Sequence, residues 1–391
     1  MDKAGIYLSV PFCRQKCSFC NFASEVYPFS QLPRYLHALQ TEITGRARLW
    51  RMAGIPSSGD PPVNTIYLGG GTPGLIEPEA LGKLLGTVRS CFAVDEEAEI
   101  TLEASPENVT AENAHGWASS GVNRISMGVQ SMVEDELRAV GRRHTAETVG
   151  RAFSVLKQAG ICNLSVDLIA GLPRQTEQSW ETSLEALLRL DPPHFSVYML
   201  EVDDDSRLGS EILKHGQRYR AAEVPSEEEV AAFYSAAAER LRADGYEHYE
   251  VSNFARRGKA SLHNEKYWTG APYFGFGVDA HSYDGERRWA NTDSLEHYLE
   301  KIAQAQPPVV DLKTLSSQEK LEERFFLGLR RRQGIRASRL NSDFDVDVHQ
   351  KYSAQIHQFR EAGWLETDGD WLRLTDSGWL FSNEVFAGFL A

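Results

Sequence analysis

Between residues 6 and 200 apolar strand-like runs alternate with helical stretches, and this alternation restricts the fold more than any other feature of the chain. The strand candidates are Ile6 to Val10, Thr65 to Leu68, Glu99 to Ala104, Arg124 to Val129, Asn163 to Ala170 and Phe195 to Leu200. Helical stretches fall between them at Tyr35 to Leu49, Glu79 to Cys91, Ala111 to Ser120, Ala146 to Ala159 and Gln178 to Leu190. Several strand runs are rich in β-formers and nearly continuous in apolar character, as expected of parallel strands covered by helices. Thr110, Thr145 and Thr176 read as N-caps or near-caps, and Gly121 and Gly160 as C-terminal stops. Six such units make a partial barrel, with a doubly wound parallel sheet as the alternative.

Three of the five cysteines, Cys13, Cys17 and Cys20, follow the first strand at the spacing C-x3-C-x2-C. Thiolates so spaced can converge on one iron–sulfur cluster, and three of them on a four-iron cubane leave one iron open to an outside ligand. Zinc is the competing reading, but a structural zinc takes four ligands, and no further Cys or His stands close by in sequence. A second block, Gly69-Gly70-Gly71-Thr72-Pro73, follows the strand Thr65 to Leu68. Glycines let a backbone approach a ligand closely, and freed amides and carbonyls can hold a carboxylate or an ammonium; by itself such a run is also an ordinary turn. It has neither the G-x-G-x-x-G spacing nor the Lys-Ser/Thr ending of a P-loop. Polar residues at the C-terminal ends of barrel strands line the mouth, and here they are Glu103, Gln130 and Asp167, with Arg142 in a following loop. Taken singly, each is more often a structural residue, in a salt bridge or a helix cap.

The chain has 391 residues, 42% hydrophobic and 25% charged, ordinary values for a soluble globular protein. A net charge of −14 argues against broad nucleic-acid binding. Apolar runs stay well short of the roughly 20 residues of a membrane span. Met1-Asp2-Lys3-Ala4 passes straight into a strand, so no secretory signal is expected, and the clustered cysteines suit a reducing compartment, the cytoplasm. Past Asp203-Asp204-Asp205 the texture changes: residues 206–226 are polar without period, a helix spans Ser226 to Asp244, and a strand spans Tyr246 to Phe254. Residues 255–290 are rich in glycine and aromatics, and Pro307-Pro308 marks a boundary. The tail holds helices and a hairpin, Trp364 to Thr375, turning at Asp368-Gly369-Asp370, the pattern of a small winged-helix-like α+β domain. Its 11 Lys and Arg against 13 Asp and Glu disfavour DNA binding. Three parts are expected, 1–205, 206–308 and 309–391.

With these motifs in place, the chain resembles the radical S-adenosylmethionine (SAM) family, through the cysteines with Phe19 before the third and the glycine block that follows. Within that family it is most similar to the oxygen-independent coproporphyrinogen oxidase branch. The matching words are Tyr7 with Pro11-Phe12-Cys13, Gly69 to Pro73, Glu103 with Pro106, Ser126 to Ser131, and Asp167 to Pro173. The resemblance implies an α/β fold, a partial (β/α)6 barrel with a C-terminal extension. It also implies a [4Fe-4S] cluster on Cys13, Cys17 and Cys20, and SAM contacting Tyr7, Gly70, Gly71, Thr72, Glu103, Gln130, Arg142 and Asp167. The oxidases add a cysteine two residues after the third ligand; here Phe22 follows Asn21, as in the haem chaperones of the branch. His263-Asn264-Glu265-Lys266-Tyr267-Trp268 fits their H-N-x-x-Y-W motif, followed by Pro272 to Gly277 and Ala280 to Tyr283, while Val278-Asp279 departs from the pattern. A histidine among aromatics suits haem, by axial imidazole and ring packing, and a satisfied core histidine is the alternative. The resemblance thus implies haem as cargo for apo-haemoproteins, with no nucleic acid and with a membrane reached only through a partner. An oxidase or a related two-SAM methyltransferase is the enzymatic alternative.

Overall fold

The computed structural model describes residues 3–56 and 59–390; Met1 and Asp2, on which the reading of the N-terminus partly rested, lie outside the described residues. Six strands, β1 (Ala4–Val10), β2 (Val63–Gly70), β3 (Val94–Ala104), β4 (Arg124–Gln130), β5 (Asn163–Ala170) and β6 (His194–Met199), lie side by side in chain order and parallel. A consecutive order has no reversal point, which removes the doubly wound alternative. The connecting helices start where expected: Thr110, Thr145 and Thr176 each accept a hydrogen bond from the backbone N–H three residues on. Such caps satisfy amides that a helix leaves unpaired at its start.

The strands are not continuously apolar, which corrects the sequence expectation. Ile6, Leu8, Ile66, Leu68, Ile125, Met127, Leu164 and Val166 are fully buried in the main hydrophobic core. The residues between them, Tyr7, Tyr67, Ser126 and Ser165, are polar or amphipathic and occupy the opposite face, because successive side chains of a strand alternate. Helices therefore cover one face, and the other lines the inside of the partial barrel. Each buried Leu, Ile or Val on the covered face contributes about 1.5–3 kcal/mol over leaving it exposed.

The segment 206–308 is not a body of its own. Strands β7 (Glu247–Glu250) and β8 (Asn253–Ala255) form an antiparallel hairpin, so the single strand expected from Tyr246 to Phe254 is split by a reversal; β8 pairs with β6. On the other flank β9 (Tyr273–Phe276) runs parallel to β1, followed by the antiparallel strands β10 (His281–Tyr283), β11 (Arg287–Asn291) and β12 (Val309–Thr314). All twelve form one sheet. A boundary at 308 thus misplaces β12, which is an edge of the main sheet. Residues 206–226, read as aperiodic, include a helix at Arg207–Leu213.

The C-terminal unit has its own core, with Leu321, Phe325, Phe359, Leu372 and Trp379. Its small sheet has the order β13 (Ile335–Arg336), β15 (Trp371–Leu374), β14 (Leu365–Asp368), with the hairpin where the sequence placed it. The unit docks on the edge of β7: Val251 N–H donates to Arg330 O at 3.0 Å, and Arg332 N–H to Tyr249 O at 2.9 Å. Among the described residues no helix is long and apolar enough to cross a membrane.

Candidate functional site

Strand β1 ends at Val10 and the cysteine loop follows at once. The loop closes on itself, with Cys13 N–H donating to Glu25 O at 3.1 Å and Glu25 N–H to Pro11 O at 3.0 Å. Beside it β2 ends in the glycine turn, stitched across by Gly71 N–H to Val10 O and Thr72 N–H to Phe12 O, both 2.9 Å. A Cβ on Gly71 would stand 2.7 Å from the Phe12 carbonyl oxygen and 2.8 Å from that of Val10, so only glycine allows the approach. Gly70 adds a φ of +103°, a region that side chains disfavour.

Each thiol has a hydrogen-bonding neighbour. The Thr72 hydroxyl donates to Cys13 Sγ at 3.6 Å, Arg142 Nη1 donates to Cys17 Sγ at 3.7 Å, and Ser24 Oγ lies 3.9 Å from Cys20 Sγ. Burial raises the Cys13 and Cys20 thiols above the usual range; the Cys17 thiol adds to the rise at both, and Cys13 adds to that at Cys20. Among the described residues no group of three or more His, Cys, Asp and Glu is gathered closely enough to hold a metal ion as it stands. The donor set itself fits a cluster: three thiols on one loop, with donors placed to stabilise thiolates.

Behind the glycine turn, Glu103 at the end of β3 accepts from Tyr67 O–H at 2.9 Å and from Gly70 N–H. A Cβ on Gly69 would lie 2.9 Å from Glu103 Oε1 and 3.0 Å from Tyr7 Oη, so Tyr7, Gly69 and Glu103 meet at one place. Burial lifts the Glu103 carboxyl to about 7 against the hydrogen bond from Tyr67, and the nearby Asp167 adds to the rise. Burial likewise lifts Asp167 to about 6, opposed by a hydrogen bond from Ser196 and by the Arg124 guanidinium. Arg142 Nη2 donates to Gly128 O, beside Gln130, whose φ of +69° is uncommon for a side chain of its kind. Of the eight residues expected at SAM, Gly70, Gly71, Thr72, Glu103 and Gln130 stand at or just past the C-terminal ends of β2, β3 and β4, Tyr7 and Asp167 lie mid-strand in β1 and β5, and Arg142 is in the loop after β4.

The spacing of motifs did not mark Tyr67, which orients Glu103, or Arg124. Arg124 is 2% exposed, its Nε lacks a hydrogen-bond partner, and no ion pair within salt-bridge distance is found for it among the described residues. Both lie on the polar face, so the signal that would have found them is the period-two alternation of β2 and β4.

His263 sits elsewhere. The helix Leu262–Thr269 closes the base of the barrel, at the N-terminal halves of the strands. Glu99 on β3 accepts from the Leu262 and His263 N–H groups at 3.3 and 3.2 Å. The His263 ring is 1% exposed, with Nδ1 2.9 Å from Thr65 Oγ1 and Nε2 2.9 Å from Tyr267 Oη. Burial holds its imidazole down at about 3, helped by Lys266 and Arg124. Both ring nitrogens are engaged, the geometry of the satisfied core histidine that the sequence left as an alternative. Bonding iron would require one of them to release its partner.

Comparison with known proteins identifies the family and the fold. The Radical SAM superfamily profile matches residues 7–187, and the HemN C-terminal domain profile matches residues 315–381. Heme chaperone HemW of Bacillus subtilis (strain 168) is 33% identical over 385 residues, covering 98% of each chain. The chain belongs to the HemW family. Heme chaperone HemW of Lactococcus lactis (strain IL1403) is 32% identical, over 98% of this chain and 96% of its own. HemW membership within the radical SAM superfamily implies a [4Fe-4S] cluster and SAM. The coproporphyrinogen III oxidase of Escherichia coli, described as a radical SAM enzyme, superposes with a TM-score of 0.86 at 22% identity, over 99% of this chain and 90% of its own, and so shares the fold.

Proposed function

We propose that the chain is a cytoplasmic haem chaperone that binds haem and passes it to apo-haemoproteins. The observation that carries this reading is the full-length likeness, 33% identical over 98% of both chains, to a protein named as a heme chaperone. In this reading Cys13, Cys17 and Cys20 hold the [4Fe-4S] cluster, and Tyr7, Gly70, Gly71, Thr72, Glu103, Gln130, Arg142 and Asp167 hold SAM. A cubane on three thiolates offers an open iron and one-electron chemistry. The chain's own residues do the rest. The glycine turn presents backbone to the ligand, Glu103 and Asp167 offer carboxylates to its cationic groups, and Arg142 and Thr72 donate to thiolates. Phe22, 65% exposed, stands where the oxidases carry a further cysteine, which speaks against porphyrinogen oxidation.

Anaerobically reconstituted protein is expected to take up haem near one per chain, to deliver it to an apo-haemoprotein, and to leave coproporphyrinogen III unoxidised. Formation of protoporphyrinogen IX would overturn the reading in favour of an oxidase. His263 as iron ligand is tested in the same sample. His263→Ala shifts the Soret band if the imidazole binds iron, and Tyr267→Phe, which frees Nε2 while keeping the ring, then strengthens haem binding. An unchanged spectrum in both variants assigns His263 to the fold and the iron ligand to another residue.

A further inference from the structure

Asp167 is the end of a buried hydrogen-bond chain that crosses the inner face of the barrel. Ser196 on β6 donates to its carboxylate, and Ser126 Oγ stands 3.3 Å away on β4. Ser165 Oγ lies 3.5 Å from Ser196 Oγ and 2.8 Å from His194 Nδ1. His194 Nε2 lies 2.8 Å from Tyr249 Oη, which accepts from the Ser261 N–H at 3.2 Å. Ser165 and His194 are fully buried and Ser196 nearly so.

The chain has one consistent polarity. A carboxylate only accepts, so the Ser196 hydroxyl donates to it and has its oxygen free to accept from Ser165. The Ser165 oxygen then accepts from Nδ1–H, and Nε2 accepts from the Tyr249 hydroxyl. This requires a neutral imidazole, and burial together with Arg124 holds His194 well below the usual histidine range. Hydrogen bonds aligned in this way polarise one another.

We propose that His194 is a positioning residue for Asp167, acting through Ser165 and Ser196 and anchored by Tyr249 where the C-terminal unit docks. The inference rests on the reading of Asp167 as a SAM contact. The other charged or titratable groups facing Asp167 are Arg124, Arg142, Glu103, Tyr67 and Tyr198. None of them is altered by the variants below.

The two ring nitrogens can be separated by substitution. In His194→Asn the amide N–H takes the place of Nδ1–H toward Ser165 and loses Tyr249. In His194→Gln the amide oxygen takes the place of Nε2 toward Tyr249 and loses Ser165. The Asp167 carboxyl is followed by carbon NMR of the full chain, assigned with Asp167→Asn, and SAM affinity by calorimetry across the same pH range. The wild-type midpoint is expected at about 6. Ser165→Ala and His194→Gln are expected to raise it by about 0.3–0.5 in pH, Tyr249→Phe by less, and His194→Asn to restore it. Equal midpoints in wild type, Ser165→Ala and His194→Gln would overturn the proposal, as would His194→Asn and His194→Gln shifting alike. Should the midpoints move as expected while Asp167→Asn leaves SAM affinity unchanged, the positioning role stands and the SAM assignment of Asp167 falls.

Discussion

The two ends of the barrel interior carry similar side chains and use them differently. At the base, Thr65, Glu99, His263 and Tyr267 bond to one another and to the start of the helix Leu262–Thr269. At the rim, Glu103 and Asp167 hold raised pKa values, Tyr198 is 43% exposed, and the glycine turn packs against the carbonyls of Val10 and Phe12 too closely for a Cβ at Gly71. Polarity on the inner face is thus no mark of a site by itself. A buried polar group without a partner is costly, so the base is satisfied internally, whereas the rim keeps hydrogen-bonding capacity that a ligand can use. Arg124 is as deep as the base, yet its Nε has no hydrogen-bond partner.

The sharpest contrast is expected for the cluster. Wild-type protein prepared without oxygen should carry about four irons per chain, and Cys17→Ser should bring iron and visible absorption to near background. One zinc per chain with no labile sulfide would remove the rim from the reading. For SAM, Asp167→Ala should weaken binding roughly ten- to a hundredfold, the cost of a charge-assisted hydrogen bond. Gly71→Val should be at least as damaging, since its side chain meets the carbonyls of Val10 and Phe12.

The base should respond chiefly in stability. His263→Ala removes two buried hydrogen bonds and a ring packed beside Tyr67 and Tyr267, at a cost of about 2–4 kcal/mol in denaturant unfolding. The ring also touches Tyr67 and Tyr7 of the rim, so SAM affinity should fall as well, but by less than for Asp167→Ala, because Tyr67 keeps its hydrogen bond to Glu103. A loss of SAM affinity as large as that of Asp167→Ala would erase the distinction between the two ends.

The smallest effect is a proton. Glu103 and Asp167, with values of about 7 and about 6, are partly protonated near pH 6.5, whereas His263, at about 3, is not. A cationic ligand at the rim favours the ionised carboxylates and lowers both values, so binding should release a proton and tighten as pH rises through this window. Calorimetry in buffers of different ionisation heat should record a release of up to about one proton. Proton uptake would mean that the ligand's charge does not face these groups.

Much of the site was legible because its signals are local. The three cysteines lie within eight residues, the glycine block abuts its strand, and Glu103 and Gln130 are read from their positions at strand ends. The element order and the caps at Thr110, Thr145 and Thr176 follow from short-range chemistry in the same way. What remained hidden depends on partners distant along the chain. Whether the His263 ring is a ligand or a satisfied side chain turns on Thr65, 198 residues away, while the Glu99 carboxylate, 164 residues away, holds the backbone that places it. The docking of β8 on β6, the inclusion of β12 in the main sheet and the chain from Tyr249 to Asp167 are likewise set by pairing between residues distant in sequence. The sequence alone determined which groups could do chemistry and near which strand ends they stand. Only the tertiary structure decided which of them are spent on one another, because hydrogen-bond saturation is a property of the packed neighbours and not of the residue that bears the group.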